Sequence, residues 1–209
     1  MTNITAYFLI IILLLILFSI FVKQSGKQKL YNISKPLTML FIIALPLLEM
    51  REEYSVYAYL IMTGLIFSLL GDLYLLFPDR YFNNGLYSFL VAHILYIFAF
   101  NQNVNEYCFG ITFPILLFIF FVMKYLSPKL GGMKYPVLVY ILAISVMLYS
   151  ALNMDKQMGG ITLISIGAIL FTISNTIFVF NKFYKKFQLA EPIILSTYFI
   201  AQLLFAMSI

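Results

Sequence analysis

Asp72 is the only charged side chain between Val56 and Phe77, an apolar stretch long enough to cross a bilayer. A carboxyl group at that depth costs about 2.5 to 3.5 kcal/mol even on lenient insertion scales, so it is kept where it faces a cavity, a partner or a substrate. There it can hand over a proton or, once ionised, steady a developing cation. The segment around it has an echo: Gly64 to Phe77 (GLIFSLLGDLYLLF) lies on Gly167 to Phe180 (GAILFTISNTIFVF), which sets Asn175 opposite Asp72. Helical spacing gathers further polar groups. Gly64, Ser68 and Asp72 fall on one stripe at i, i+4 and i+8, Tyr198 and Gln202 share a face, and Gly85, Phe89, His93 and Tyr96 form another. Gly71 and Ser68, both small, let a neighbouring helix come close to the carboxylate.

Each of these residues has a plainer use. Asp72 is either a functional carboxylate or a structural staple paired with Lys35. His93 is either an acid or base, or a hydrogen-bonded core histidine. Lys35 reads first as a snorkelling cation near the membrane surface, and Tyr198 and Gln202 can serve as interhelical glue. The 22 Phe and most of the 16 Tyr are assigned to packing or lipid contact. One His and one Cys cannot supply a zinc site, and no Gly-rich phosphate loop or nucleophile elbow is present, so no metal or cofactor is expected. Cys108 alone excludes an intramolecular disulfide and reads as a small membrane hydrophobe.

The elements that must carry these groups are transmembrane helices. With 63% hydrophobic and 10% charged residues, 209 residues cannot bury their apolar surface as a soluble domain. Apolar runs of spanning length fall at 4–22, 33–49, 56–77, 81–101, 107–126, 135–152, 160–180 and 191–208. The first is too long for a signal-peptide core and lacks a cleavage pattern, so it reads as a retained span. The fold class is therefore all-α, a polytopic membrane bundle of eight transmembrane helices in a single domain over residues 1–209. Short joints such as Ser127-Pro128, Gly131-Gly132 and Gly159-Gly160 make neighbouring helices antiparallel. Span two is expected to open at Ser34-Lys35-Pro36, with Ser34 capping and Pro36 in the first turn.

Charge orients the bundle. Lys23, Lys27, Lys29, Lys35, Arg80, Lys124, Lys129, Lys134, Lys182, Lys185 and Lys186 belong to the joints after spans one, three, five and seven, and the other side keeps only Arg51 and Lys156. Glu49, Glu52, Glu53, Glu106 and Asp155 also lie on that poorer side. The positive-inside rule places the basic loops in the cytoplasm and both termini outside, with a bacterial inner membrane as the expected location. The net charge of +5 faces anionic lipid, and no nucleic-acid partner is implied. A second echo sets Phe89 to Ile97 (FLVAHILYI) on Tyr198 to Ala206 (YFIAQLLFA), and Lys35-Pro36 on Tyr135-Pro136, so spans two to four match six to eight. An offset of four spans preserves orientation and would make a parallel 4+4 repeat. Depth then brings Asp72, Asn175, Lys35, His93, Tyr198 and Gln202 toward one cavity.

Lys35-Pro36, Gly71-Asp72, Gly85-x3-Phe89-x2-Ala92-His93-x2-Tyr96, Ser174-Asn175 after Gly167-Ala168, and Tyr198-x2-Ala201-Gln202 occur in the order and spacing of the YhhN-like family, which this chain resembles over nearly its whole length. The resemblance implies a membrane hydrolase of the lysoplasmalogenase type, which cleaves the vinyl ether bond of lysoplasmalogens to a fatty aldehyde and a glycerophospho-base. Its partners would be a lysophospholipid substrate and membrane lipids. On that basis Asp72 is the general acid, His93 the partner for proton return and Asn175 a group that positions water. Lys35, Tyr96, Ser174, Tyr198 and Gln202 are substrate-binding, with Lys35 suited to the phosphate. One position departs from the pattern: the family usually has Ser-Asp where this chain has Ser174-Asn175, which leaves a single carboxylate. The alternative is a non-catalytic lipid-binding protein or small transporter on the same fold.

Overall fold

The computed structural model describes residues 3–49, 55–102, 104 and 106–209, with backbone alone at 3, 49, 78, 79 and 155–157. Among the described residues, eight helices are long and apolar enough to span a membrane. They are α1 (Asn3–Gln24), α2 (Gln28–Ala44), α3 (Val56–Leu75), α4 (Pro78–Phe100), α5 (Phe109–Leu126), α6 (Lys134–Met158), α7 (Leu163–Phe183) and α8 (Ala190–Met207). Three short 3-10 turns follow α2 and join α5 to α6. The chain is thus an integral, multi-pass α-helical membrane protein. Arg51, Glu52 and Glu53 lie outside the described residues, as do the side chains of Glu49, Asp155 and Lys156.

Local sequence explains most of the ends. Ser55 caps α3 by accepting from the Ala58 N–H at 3.2 Å, and Thr162 caps α7 through Ser165 at 3.4 Å. Pro78 starts α4, where its missing N–H leaves nothing unpaired, and the backbone breaks once at Tyr81 (φ −123°, ψ 21°) before the helix resumes. One expected start is corrected. Helix α2 begins at Gln28, so Pro36 lies in its interior and Ser34 donates back to the Tyr31 carbonyl at 3.4 Å instead of capping. The first two turns of α2 carry Gln28, Asn32 and Lys35, which line an internal cavity, so their polarity hides the turns from a hydropathy window.

Six helices close a ring, with α2 packed on α3, α3 on α4, α4 on α6, α6 on α7, α7 on α8 and α8 back on α2. Helix α1 lies outside against α2 and α8, and α5 against α6 and α7. The tightest pairings are α3 with α4 and α7 with α8. Glycine makes the first possible: a Cβ at Gly71 would come within 2.6 Å of the Phe89 ring, and one at Gly64 would intrude on Tyr96. Large rings on α4 therefore seat in notches on α3, bringing the Ser68 and Asp72 stripe against α4 and α8. Helices α1 and α5 leave apolar side chains such as Leu14, Leu17, Phe113 and Phe120 exposed, as a lipid-facing surface requires.

Candidate active site

A cavity of about 530 Å³ opens at the lysine-rich end of the ring, where α1 and α7 finish and α2 and α8 begin. Lys23, Gln28, Lys186 and Glu191 stand at its mouth, and Asp72, Asn175, Ser174, Tyr198 and Phe89 form its inner wall. Its size suits a small amphiphilic ligand.

Asp72 is 1% exposed and both of its oxygens are engaged. Lys35 Nζ lies 2.9 Å from Oδ1, and the Tyr198 hydroxyl donates to Oδ2 at 2.7 Å. The stripe read from the sequence thus faces inward, and Tyr198 on α8 reaches the carboxylate on α3. Lys35 is turned into the bundle, away from the membrane surface, because α2 starts early enough to carry it down to the depth of Asp72. A buried pair of this kind gains stability only through good geometry and further hydrogen bonds, and it is costly to break from one side.

Behind Asp72 a closed polar triangle ties three helices together. The Tyr96 hydroxyl donates to Gln202 Oε1 at 2.8 Å, Gln202 Nε2 donates to Ser68 Oγ at 3.3 Å, and Ser68 Oγ lies 3.4 Å from the Tyr96 hydroxyl. Interhelical hydrogen bonds in membranes average only about 0.6 kcal/mol, so the triangle matters chiefly for placement. Tyr96 and Gln202 are fully buried and do not line the cavity.

On the opposite wall, Asn175 Oδ1 accepts from the Tyr140 hydroxyl of α6, while Nδ2 donates to the Phe171 carbonyl at 2.7 Å. The amide orientation is fixed from both ends, which leaves one N–H of Nδ2 uncommitted. Ser174 lines the cavity too, but its hydroxyl donates to the Ile194 carbonyl at 2.9 Å and so fastens α7 to α8.

His93 is fully buried and not part of the cavity wall. It stacks on Phe171 with ring centres 5.0 Å apart and meets Tyr140 edge-on at 5.1 Å. The Phe89 carbonyl one turn earlier lies close to the ring, but neither nitrogen makes a hydrogen bond of normal geometry among the described residues. Sequence reasoning passed over Tyr140, which holds Asn175, and Glu191, which stands at the mouth 3.8 Å from Lys23 Nζ. Both left a signal: Tyr140 falls in mid-span instead of in an interfacial aromatic belt, and Glu191 runs against the basic trend of its end.

Ring topology, eight spans and a carboxylate-bearing cavity at one end define a multi-pass membrane protein built around a polar site within the bilayer. The chain belongs to the YhhN family, whose model matches residues 30–209. It is similar to the human lysoplasmalogenase TMEM86A, 32% identical over 172 residues that cover 71% of this chain and 64% of that protein. The Bos taurus lysoplasmalogenase TMEM86A is 32% identical over 161 residues with the same coverage. A lysoplasmalogenase homolog of Dictyostelium discoideum is 35% identical over 80 residues, 38% of this chain and 21% of that protein. The chain thus spans less than two thirds of the length of these relatives. No solved structure matches.

Proposed function

We propose that the protein is a lysoplasmalogenase-type hydrolase acting on the vinyl ether of a lysophospholipid. The observation that carries this reading is Asp72, held by Lys35 and Tyr198 on the inner wall of a cavity that opens among lysines. A vinyl ether hydrolyses by protonation of its outer alkene carbon, which leaves an oxocarbenium ion. In this reading the one proton shared by the Lys35–Asp72 pair, 2.9 Å apart, passes through Asp72 to that carbon, and the carboxylate left behind faces the cation that forms. Water positioned by the uncommitted N–H of Asn175 adds to the carbon bearing the ether oxygen and gives a proton to Asp72. The hemiacetal then breaks its C–O bond: its hydroxyl gives up a proton as it becomes the aldehyde, and the departing oxygen takes one to become the alcohol.

The Tyr198 hydroxyl keeps the Asp72 carboxyl aimed into the cavity. Lysines at the mouth suit the phosphate better than Lys35, whose ammonium is already engaged. His93 has no contact with the cavity, so its part in this reading is to seat Phe171 and Tyr140, and proton return falls to the Lys35–Asp72 pair. Purified protein given a defined lysoplasmalogen should release fatty aldehyde in step with glycerophospho-base. Absence of aldehyde with lipid still bound would leave the second reading, a lipid-binding protein or transporter. That reading draws on the same ion pair, since both Asp72 oxygens are already occupied and Asn175 cannot exchange a proton.

The lysine-rich end faces the cytoplasm in this proposal. Cysteines introduced near Lys129 and Lys185 should resist an impermeant outside reagent, and one near Asp155 should react. The reverse pattern would move the site to the other leaflet.

A further inference from the structure

A groove of about 580 Å³ lies between the last turns of α5 and the first turns of α6, and it shares no lining residue with the carboxylate cavity. Ile119, Phe120 and Met123 form its α5 wall and Leu138 its α6 wall, with Lys124 on one helix and Lys134 on the other. Positions four apart share a helix face, so Leu116 extends the first wall and Leu142 the second, and both are exposed. The groove is an apolar trough with ammonium groups at its lysine-rich end. An apolar trough on the lipid-facing side is what a membrane protein requires, but the cations in it call for a partner.

Lys124, Lys129 and Lys134 make no ion pair among the described residues, and Lys124 Nζ lies over the Phe120 ring, 6.0 Å from its centre. No Asp or Glu occurs between Glu106 and Asp155, the stretch that builds the whole groove, and α7, which α5 also touches, contains none. The carboxylate cavity is different, since Lys23 and Lys35 there meet Glu191 and Asp72. At the groove the counter-charge has to come from outside the bundle. A second copy docked by the same face would, under two-fold symmetry, set these lysines against their own counterparts with no carboxylate to offer. A small soluble anion would satisfy the lysines and leave the trough unfilled. The tails of any phospholipid would fill it equally well, so the head group decides, and a zwitterionic one would bring its own ammonium to a cluster of cations. An anionic phospholipid fits both halves: hydrocarbon against Phe120, Met123 and Leu138, and an uncompensated phosphate at Lys124 and Lys134.

We infer that the α5–α6 groove is a binding site for an anionic diacyl phospholipid, selected by Lys124 and Lys134. It is separate from the carboxylate cavity and does not depend on what that cavity does. The chain contains no tryptophan, so Phe120→Trp supplies a single fluorophore inside the groove. The full chain carrying it is reconstituted in phosphatidylcholine bilayers in which an equal minor share of the lipid is either acyl-brominated phosphatidylglycerol or acyl-brominated phosphatidylcholine. Quenching should show phosphatidylglycerol occupying the groove about tenfold more tightly, within what two lysines near the membrane surface supply. Adding Lys124→Gln and Lys134→Gln should bring the two lipids to near-equal quenching. Lys27→Gln with Lys29→Gln, which removes the same charge from the same end of the bundle outside the groove, should leave the preference in place. Equal quenching by the two lipids in the Phe120→Trp protein overturns the inference. So does a preference that survives loss of Lys124 and Lys134, or that falls as far with Lys27 and Lys29, because it then belongs to the membrane face at large. A tryptophan that neither lipid quenches is covered by a second copy, which overturns it as well.

Discussion

The two polar walls of the cavity are built from similar segments and wired in opposite ways. On α3, Gly64 precedes Asp72 by two helical turns, and on α7, Gly167 precedes Asn175 by the same interval. The α3 wall is ionic: Asp72 meets the Lys35 ammonium from α2 and a tyrosine hydroxyl from α8. The α7 wall is neutral: Asn175 is clamped between the Tyr140 hydroxyl and a carbonyl of its own helix. One site can trade a proton and the other can only direct one. The difference teaches that a buried polar residue is defined less by its own type than by the donors and acceptors that the neighbouring helices bring to it.

The largest effect should come from breaking the ionic wall. Asp72→Asn should lower aldehyde release about 10²- to 10⁴-fold, the usual span for loss of a general acid. It should also cost stability, about 3 to 5 kcal/mol, because the Lys35 ammonium is left buried without its counter-charge. Adding Lys35→Met should restore the melting temperature without restoring activity. Recovery of both would make the pair a staple and nothing more.

Next comes conversion of the neutral wall into a second acid. Asn175→Asp should raise aldehyde release on the order of tenfold. Geometry sets a condition: the position facing the Phe171 carbonyl needs a donor, so the new carboxyl must direct a hydrogen there while its other oxygen accepts from Tyr140. A folded Asn175→Asp protein that works more slowly than the parent would show that the amide N–H is what the reaction uses.

The two glycines give a paired test of packing against function. An added methyl at Gly64 would collide with Tyr96, whose hydroxyl is committed to Gln202 and Ser68, whereas one at Gly167 would meet the Phe205 ring at 2.7 Å and the Ala201 carbonyl at 3.3 Å. Both Gly64→Ala and Gly167→Ala should destabilise by about 1 to 3 kcal/mol in thermal melts. Only Gly64→Ala should also slow the reaction at temperatures where both proteins are folded, since it disturbs the support of Asp72. The smallest effect belongs to Tyr140→Phe, which frees the Asn175 amide at a cost of about 1 kcal/mol and should lower activity only a few-fold.

The eight spans were legible because bilayer crossing demands long apolar runs, and the stripes around Asp72 and Tyr198 because helical periodicity survives in a membrane. The start of α2 was not legible, since polar residues that line a cavity look like a loop when only composition is read. For Lys35 the sequence left two readings, a snorkelling cation and a partner of Asp72, and the early start of α2 is what goes with the second. His93 shows a second limit: α4 is covered by α3 on one side and by α6 on another, so spacing alone could not decide whether the imidazole meets the cavity or the rings of Phe171 and Tyr140. Tyr140 was hidden among many aromatic residues, and only the partner it reaches on α7 sets it apart.

The Lys35–Asp72 contact also bears on how the protein is made. Its partners sit on consecutive helices, so the ribosome delivers the lysine shortly before the aspartate, whereas Tyr198 is 126 residues further along the chain than Asp72. A hairpin of α2 and α3 can enter the bilayer with its two charges matched, easing the insertion cost of about 2.5 to 3.5 kcal/mol that each would bear alone. The carboxylate thus has its counter-charge close by in the chain from the start, and the last helix to arrive adds the hydroxyl that completes the cluster.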